Sequence, residues 1–173
     1  MLTKINLLLI FLIATTSTFV VASGSPAVSY EKVMSCEGKE TGEIRKAIIE
    51  YLSKQDYTHL KQSAEQITTT GALRIYNYII SSIKNPAGEI VFDLKIDIKD
   101  GKFRCIMHNI SFVNLERDRY GKFVYTGDTI HLSKDNLKSS VFSKIERQAV
   151  AYLHNMAFHI KQILADNSAE TDW

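Results

Sequence analysis

The sequence predicts an α+β layer protein: an antiparallel sheet of about four to six strands with two amphipathic helices packed on one face. Three observations carry that expectation. One hairpin has apolar and charged residues that agree on a single register, and two stretches have apolar residues that return every three or four positions. The bulk numbers allow it: 173 residues, 45% hydrophobic and 23% charged, suit one globular domain. Eight Gly and two Pro exclude a collagen-like or low-complexity chain. A net charge of +2 supplies no broad basic field, so no nucleic-acid partner is expected. Two Cys exclude a disulfide-dense scaffold.

Residues 1–22 read as a secretory signal peptide. Lys4 precedes the apolar run Leu7–Ile13, then come Thr15, Thr16, Ser17 and Thr18, with Val20 and Ala22 at −3 and −1 for a cut before Ser23. Those hydroxyl residues interrupt the ~20 apolar residues that a membrane-spanning helix needs. Loss of the leader leaves 151 residues with 20 Lys and Arg against 19 Asp and Glu. The expected mature unit, 23–173, is a single domain with a core at 28–165 and a tail at 166–173 that frays. It holds no further stretch of membrane-spanning length, and its expected location is periplasmic or extracellular.

Val28–Met34 alternates weakly and reads as a first strand. Gly38–Gly42 breaks the chain, and Thr41 is the expected cap of a helix to about Lys54, with Ile44, Ala47, Ile48, Tyr51 and Leu52 on one stripe. Residues 58–70 read two ways: His59–Ile67 as helix by propensity, Ile67–Thr70 as strand because β-branched residues are stiff at χ1. Gly71 and Asn85–Gly88 read as turns on either side of a strand-like run, Leu73–Ile83.

The hairpin signal lies in Glu89–Val113. Asp100-Gly101 suits a two-residue turn, because both central positions need positive φ. The register then pairs Ile98 with Phe103, Ile96 with Cys105 and Leu94 with Met107 on one face, and Asp97 with Arg104 on the other. A shift of apolar parity to Ile110 and Phe112 places a bulge near His108-Asn109. Residues 114–138 read as a long connection or an extra hairpin with Thr126-Gly127-Asp128 at its tip. Val141–Leu164 is the second helix, with Phe142, Ile145, Ala149, Tyr152, Leu153, Met156, Ile160, Ile163 and Leu164 on its stripe.

The segment Lys99-Asp-Gly-Lys-Phe-Arg-Cys105, followed by Asn109-Ile-Ser-Phe112, resembles the central hairpin of an exported bacterial domain-of-unknown-function family. Tyr30-Glu-Lys-Val33 and the long helix at 141–164 are similar in order and spacing, and the likeness spans most of 28–165. Tyr51-Leu52 stands where that family's pattern puts a Trp-type aromatic, and the 114–138 connection is long. The resemblance implies a TATA-box-binding-protein-like (TBP-like) fold and an exported setting. It implies no activity, and the fold label implies no DNA binding, because function belongs to sites.

Chemical motifs are sparse. His154 and His159 are five apart on a helix, which turns the second ring away from the i,i+4 spacing of metal-binding pairs. His59, His108 and His131 lack ligand-spaced neighbours, so no metal and no cofactor are expected. Glu89, Asp93, Asp97 and Asp100 read as the polar face and turn of the hairpin. No G-x-S-x-G element and no phosphate-cradling glycine loop occurs. Cys36 and Cys105 read either as a disulfide of an oxidising compartment or as two buried free thiols. Glu116-Arg-Asp-Arg119 reads as a solvated charge run. Tyr120, Phe123 and Tyr125 beside Lys122 form an aromatic island that could stack on a sugar or peptide.

The expectation is a non-enzymatic binding or accessory module of the envelope or periplasm, meeting an envelope protein, peptide or glycan. Its contact surface would be the sheet face opposite the helices or the 114–138 connection. The alternative is a secreted hydrolase-like enzyme whose catalytic groups converge only on folding, recognisable by a deep cleft with convergent His, Asp or Glu. A third reading is a structural envelope component that acts when assembled.

Overall fold

The computed structural model describes residues 28–80 and 83–169; the expected leader at 1–22 lies outside them. The element order is β1 (Tyr30–Ser35), α1 (Thr41–Ser53), β2 (Thr58–Gln62), β3 (Gln66–Ile80), β4 (Ile83–Lys99), β5 (Lys102–Arg117), β6 (Phe123–His131) and α2 (Ser139–Ala169). All strand pairings are antiparallel, in the order β1-β5-β4-β3-β2, with β6 also on β5. β1 takes residues 102–107 of β5 and β6 takes residues 111–117, so these two strands share one edge of β5.

The hairpin register is the one that its side chains demand. Ile98 faces Phe103, Ile96 faces Cys105, Leu94 faces Met107 and Asp97 faces Arg104. The extra residue falls where apolar parity shifts: Asp93 faces His108 while Val91 faces Ser111, and Asn109 takes φ +51°. Ile90, Phe92, Leu94, Ile96, Ile98, Phe103, Cys105 and Met107 are buried in one core with Ile44, Ile48 and Leu52 of α1 and Ile145, Leu153, Met156 and Ile160 of α2. Both helices contact the sheet and each other, which leaves the other face open. The predicted α+β architecture is the observed one.

Several local expectations need correction, each for a tertiary reason. Gly71 is inside β3 rather than in a turn; a Cβ there would sit 2.6 Å from Tyr57 Cε1 and 3.0 Å from Phe92 Cζ. Asn85–Gly88 belongs to β4, where a register shift passes over Ala87 and Gly88 gives room to the Phe112 ring. Thr41 does not cap α1. It is the first helical residue, and its backbone N–H and its hydroxyl both donate to Asp100 Oδ1, at 2.9 and 2.7 Å. Residues 58–70 resolve to β2, a short connection and the start of β3. The segment from Asp166, expected to fray, stays helical to Ala169, and Asn167 hydrogen-bonds Glu50 of α1.

Residues 114–138 contain the extra hairpin, but its tip is elsewhere. β5 runs on to Arg117 and the chain reverses through 118–122, with Gly121 at φ +76°. Thr126-Gly127-Asp128 lies within β6, at an irregularity where Gly127 takes φ +79°.

A candidate contact surface on the helix-free face

Residues of β4 that alternate with its buried side chains point away from the helices: Glu89, Val91, Asp93, Lys95 and Asp97. Each carboxylate is bracketed by neighbouring strands. Asp97 accepts from Gln66 of β3 at 3.0 Å and from Arg104 of β5 at 2.8 Å. Partial burial opposes its charge, yet the hydrogen bonds from Arg104, Gln66 and Lys95 prevail and hold the carboxyl below its ordinary value. Asp93 accepts from Thr70 at 3.1 Å and from the bulge residue Asn109 at 2.9 Å. Glu89 accepts from Tyr125 at 3.0 Å and from Arg74 at 3.4 Å. These carboxylates are spent on cross-strand ties, which reduces their use as acids or bases.

The β5–β6 end of the same face is different. Register sets Leu115 against Tyr125 and Arg117 against Phe123, all on the side of Glu89. Leu115 is buried but outside the main core, and its cross-strand partner Tyr125 is exposed. Tyr120, at the tip, is 71% exposed and Tyr125 is 56% exposed. The Arg117 guanidinium lies 4.9 Å from the centroid of Phe123, and that of Arg119 lies 4.7 Å from Tyr120. The tip is rigid by its own bonds: Asp118 Oδ1 accepts from the N–H of Tyr120 at 2.8 Å and of Lys122 at 2.9 Å.

Thus Tyr120, Lys122, Phe123 and Tyr125 come together on one hairpin, with Tyr125 turned onto the sheet and Tyr120 at the turn. Arg117 and Arg119 complete the surface and were missed as part of a solvated charge run. The usable signal was register: with the turn at 118–122, Arg117 falls directly across from Phe123.

Cys36 and Cys105 are both free and both buried, so the bridge weighed for them is not made. Cys105 faces Lys32, whereas Cys36 lies beyond Ser35, whose partner is Lys102. Four residues of strand separate their levels, roughly 13 Å at the usual rise, against the ~7 Å limit for bridged Cα atoms. Burial pushes the Cys105 thiol up to about 12, which suppresses thiolate chemistry.

Cavities open on the surface between described residues. One of about 570 Å³ lies beside the Asp100-Gly101 end of the β4–β5 hairpin, between Val33, Gln66, Lys99, Lys102 and Arg104. One of about 410 Å³ borders Cys36 and Lys161. The third, about 510 Å³, separates α1 from α2 and is lined by Tyr51, Tyr152, Met156, His159 and Asp166. It gathers one imidazole and one carboxylate, but the deeper groups are phenols. Tyr57 and Tyr152 share a hydrogen bond of 2.5 Å. Burial pushes both upward and takes Tyr51 to about 12, so all three stay protonated and serve as hydrogen-bond donors rather than nucleophiles. His154 and His159 are exposed on α2, and among the described residues no group of His, Cys, Asp or Glu is placed to hold a metal ion. No described helix is long and apolar enough to cross a membrane.

The fold defines a class: an antiparallel sheet with two helices on one face, as in TBP-like proteins. Two solved structures carry it. A TBP-like protein from Parabacteroides distasonis superimposes with a TM-score of 0.54 at 16% identity, covering 79% of this chain and 93% of that one. A DUF4468 family protein from Bacteroides ovatus gives 0.52 at 15% identity, covering 80% and 86%. No family model matches the chain, and no curated protein matches it by sequence. At these identities the likeness establishes the fold, and it agrees with the TBP-like expectation drawn from the hairpin motif.

Proposed function

We propose that the protein is an exported, non-enzymatic binding module of the envelope or periplasm, and that its contact surface is the β5–β6 end of the helix-free face. The observation that carries this reading is the hairpin tip itself, where Tyr120 and Tyr125 present ring surface to solvent beside two arginines held over aromatic rings. Aromatic residues and arginine are the side chains enriched at interfaces and at their energetic centres. A tip held by local bonds presents them at little cost in ordering. Export is supported by the basic, apolar and small-residue order of residues 1–22.

Two measurements test the reading. Cell fractionation followed by N-terminal sequencing is expected to return envelope or extracellular protein beginning near Ser23; an uncleaved cytoplasmic chain would refute export. A Tyr120→Ala/Tyr125→Ala variant is expected to lose the partners that wild-type protein captures from envelope fractions while staying folded, with a lower melting temperature from the lost Tyr125–Glu89 hydrogen bond. Equal capture by both proteins would move the contact surface elsewhere.

A further inference from the structure

The ionic pattern around the hairpin tip goes one step further, to the class of ligand, and this step rests on the contact surface just proposed. In the middle of the helix-free face cations are paired: Arg104 and Lys95 with Asp97, at 2.8 and 3.3 Å, and Arg74 with Glu89 at 3.4 Å. At the tip Arg117 and Arg119 lie over rings instead, and Arg117 also donates to the side-chain Oδ1 of Asn85 at 3.4 Å. Neither arginine, nor Lys122, makes an ion pair among the described residues. The acids that alternate with the arginines in sequence accept from uncharged groups: Asp118 from backbone N–H groups of its own turn, Glu116 from Asn114 at 3.3 Å. Three cations without an ion pair among the described residues thus gather at the tip, two of them over rings.

We infer that the tip binds a carboxylated polysaccharide. Guanidinium groups held over rings retain N–H groups for carboxylates. The exposed Tyr120 ring is an apolar plate of the size of a sugar ring. The tip's own backbone argues against an extended peptide. The N–H groups of Asp118, Tyr120, Gly121 and Lys122 are all engaged within the turn, so contact at the turn itself falls to side chains. A ligand read through rings and charges alone fits a chain of acidic sugars better than a peptide main chain.

Affinity electrophoresis through gels containing polygalacturonate, neutral dextran or polyglutamate tests the inference on the mature chain. Wild-type protein is expected to be retarded by polygalacturonate alone, with affinity falling as salt rises. Arg119→Ala and Tyr120→Ala are each expected to weaken it about tenfold, the loss of ~1.4 kcal/mol of contact. Arg119→Lys, which keeps charge without the planar fork, is expected to recover only part. Equal retardation by dextran would overturn the requirement for acid, and equal retardation by polyglutamate would reduce the effect to charge and overturn the sugar. Retardation by none of the three would overturn the ligand class. In that case loss of envelope capture by the Tyr120→Ala/Tyr125→Ala variant would still uphold the contact surface, and undiminished capture would refute both.

Discussion

The two turns that bound β5 each contain an aspartate, and they use it in different ways. Asp100 reaches across to the first residue of α1 and takes both hydrogen bonds that Thr41 can give, tying the hairpin to the helical layer. Asp118 takes its hydrogen bonds from Tyr120 and Lys122, within its own turn. The first half of the strand follows suit: Phe103, Cys105 and Met107 are buried under the helices. Along the second half, Leu115, Tyr125, Arg117 and Phe123 cover one another on the open face. A turn anchored to another element is part of the scaffold. A turn that satisfies itself leaves its side chains free to meet something else.

The largest test of this contrast is truncation in the covered half. Phe92→Ala removes a fully buried ring and is expected to cost about 3–5 kcal/mol in urea unfolding. Tyr120→Ala is expected to cost under about 0.5 kcal/mol. Comparable losses would mean that the tip is part of the scaffold after all. Next in size is Gly88→Ala, where the new methyl would meet Phe112 Cε2 at 2.2 Å and Val113 O at 2.6 Å. Overpacking of this kind costs about 1–3 kcal/mol. Gly101→Ala would meet no such neighbour, and its penalty comes from φ +72° alone.

A smaller effect separates the aspartates. Thr41 holds the Asp100 carboxyl below its ordinary value, through its hydroxyl and then its N–H. A carboxyl lowered by folding stabilises above its unfolded pKa of about 3.9, and that stability is lost as pH falls through the folded value. Asp100→Ala is therefore expected to lower the melting temperature at neutral pH and to converge with wild type well below pH 4. An unchanged gap at low pH would show that the helix tie is not ionic. Asp118→Ala is expected to leave global melting nearly intact and to speed hydrogen exchange at Tyr120 and Lys122; slow exchange there would show that something other than the carboxylate holds the turn.

What could be read in advance follows the same division. Pairs such as Ile96 with Cys105 and Asp97 with Arg104 were legible because their pattern is local and a slip of one residue would reverse every face. Gly71 and Gly88 misread as turns because their need for no side chain comes from the Tyr57 and Phe112 rings, which only the fold brings near. Thr41 misread as a cap because its acceptor lies on another hairpin. Gly121 and Gly127 both take positive φ, so local preference alone could not say which one held the tip. In the candidate site the aromatic island was legible by composition. The placing of Arg117 over Phe123 required the register.

The amide of Gln148 has a consequence of its own. Its Oε1 accepts from the Tyr76 backbone N–H at 3.1 Å and its Nε2 donates to the Tyr76 carbonyl at 3.0 Å. A side chain of α2 thus imitates one peptide unit of a missing strand, on a stretch of β3 that β2 is too short to reach. Lys144 reinforces the same spot through Asn77. Open strand edges are where chains join into aggregates, and here the helix plugs the socket. A foreign strand must first unseat Gln148, so the guard against misassembly is carried by the same helix that closes the core.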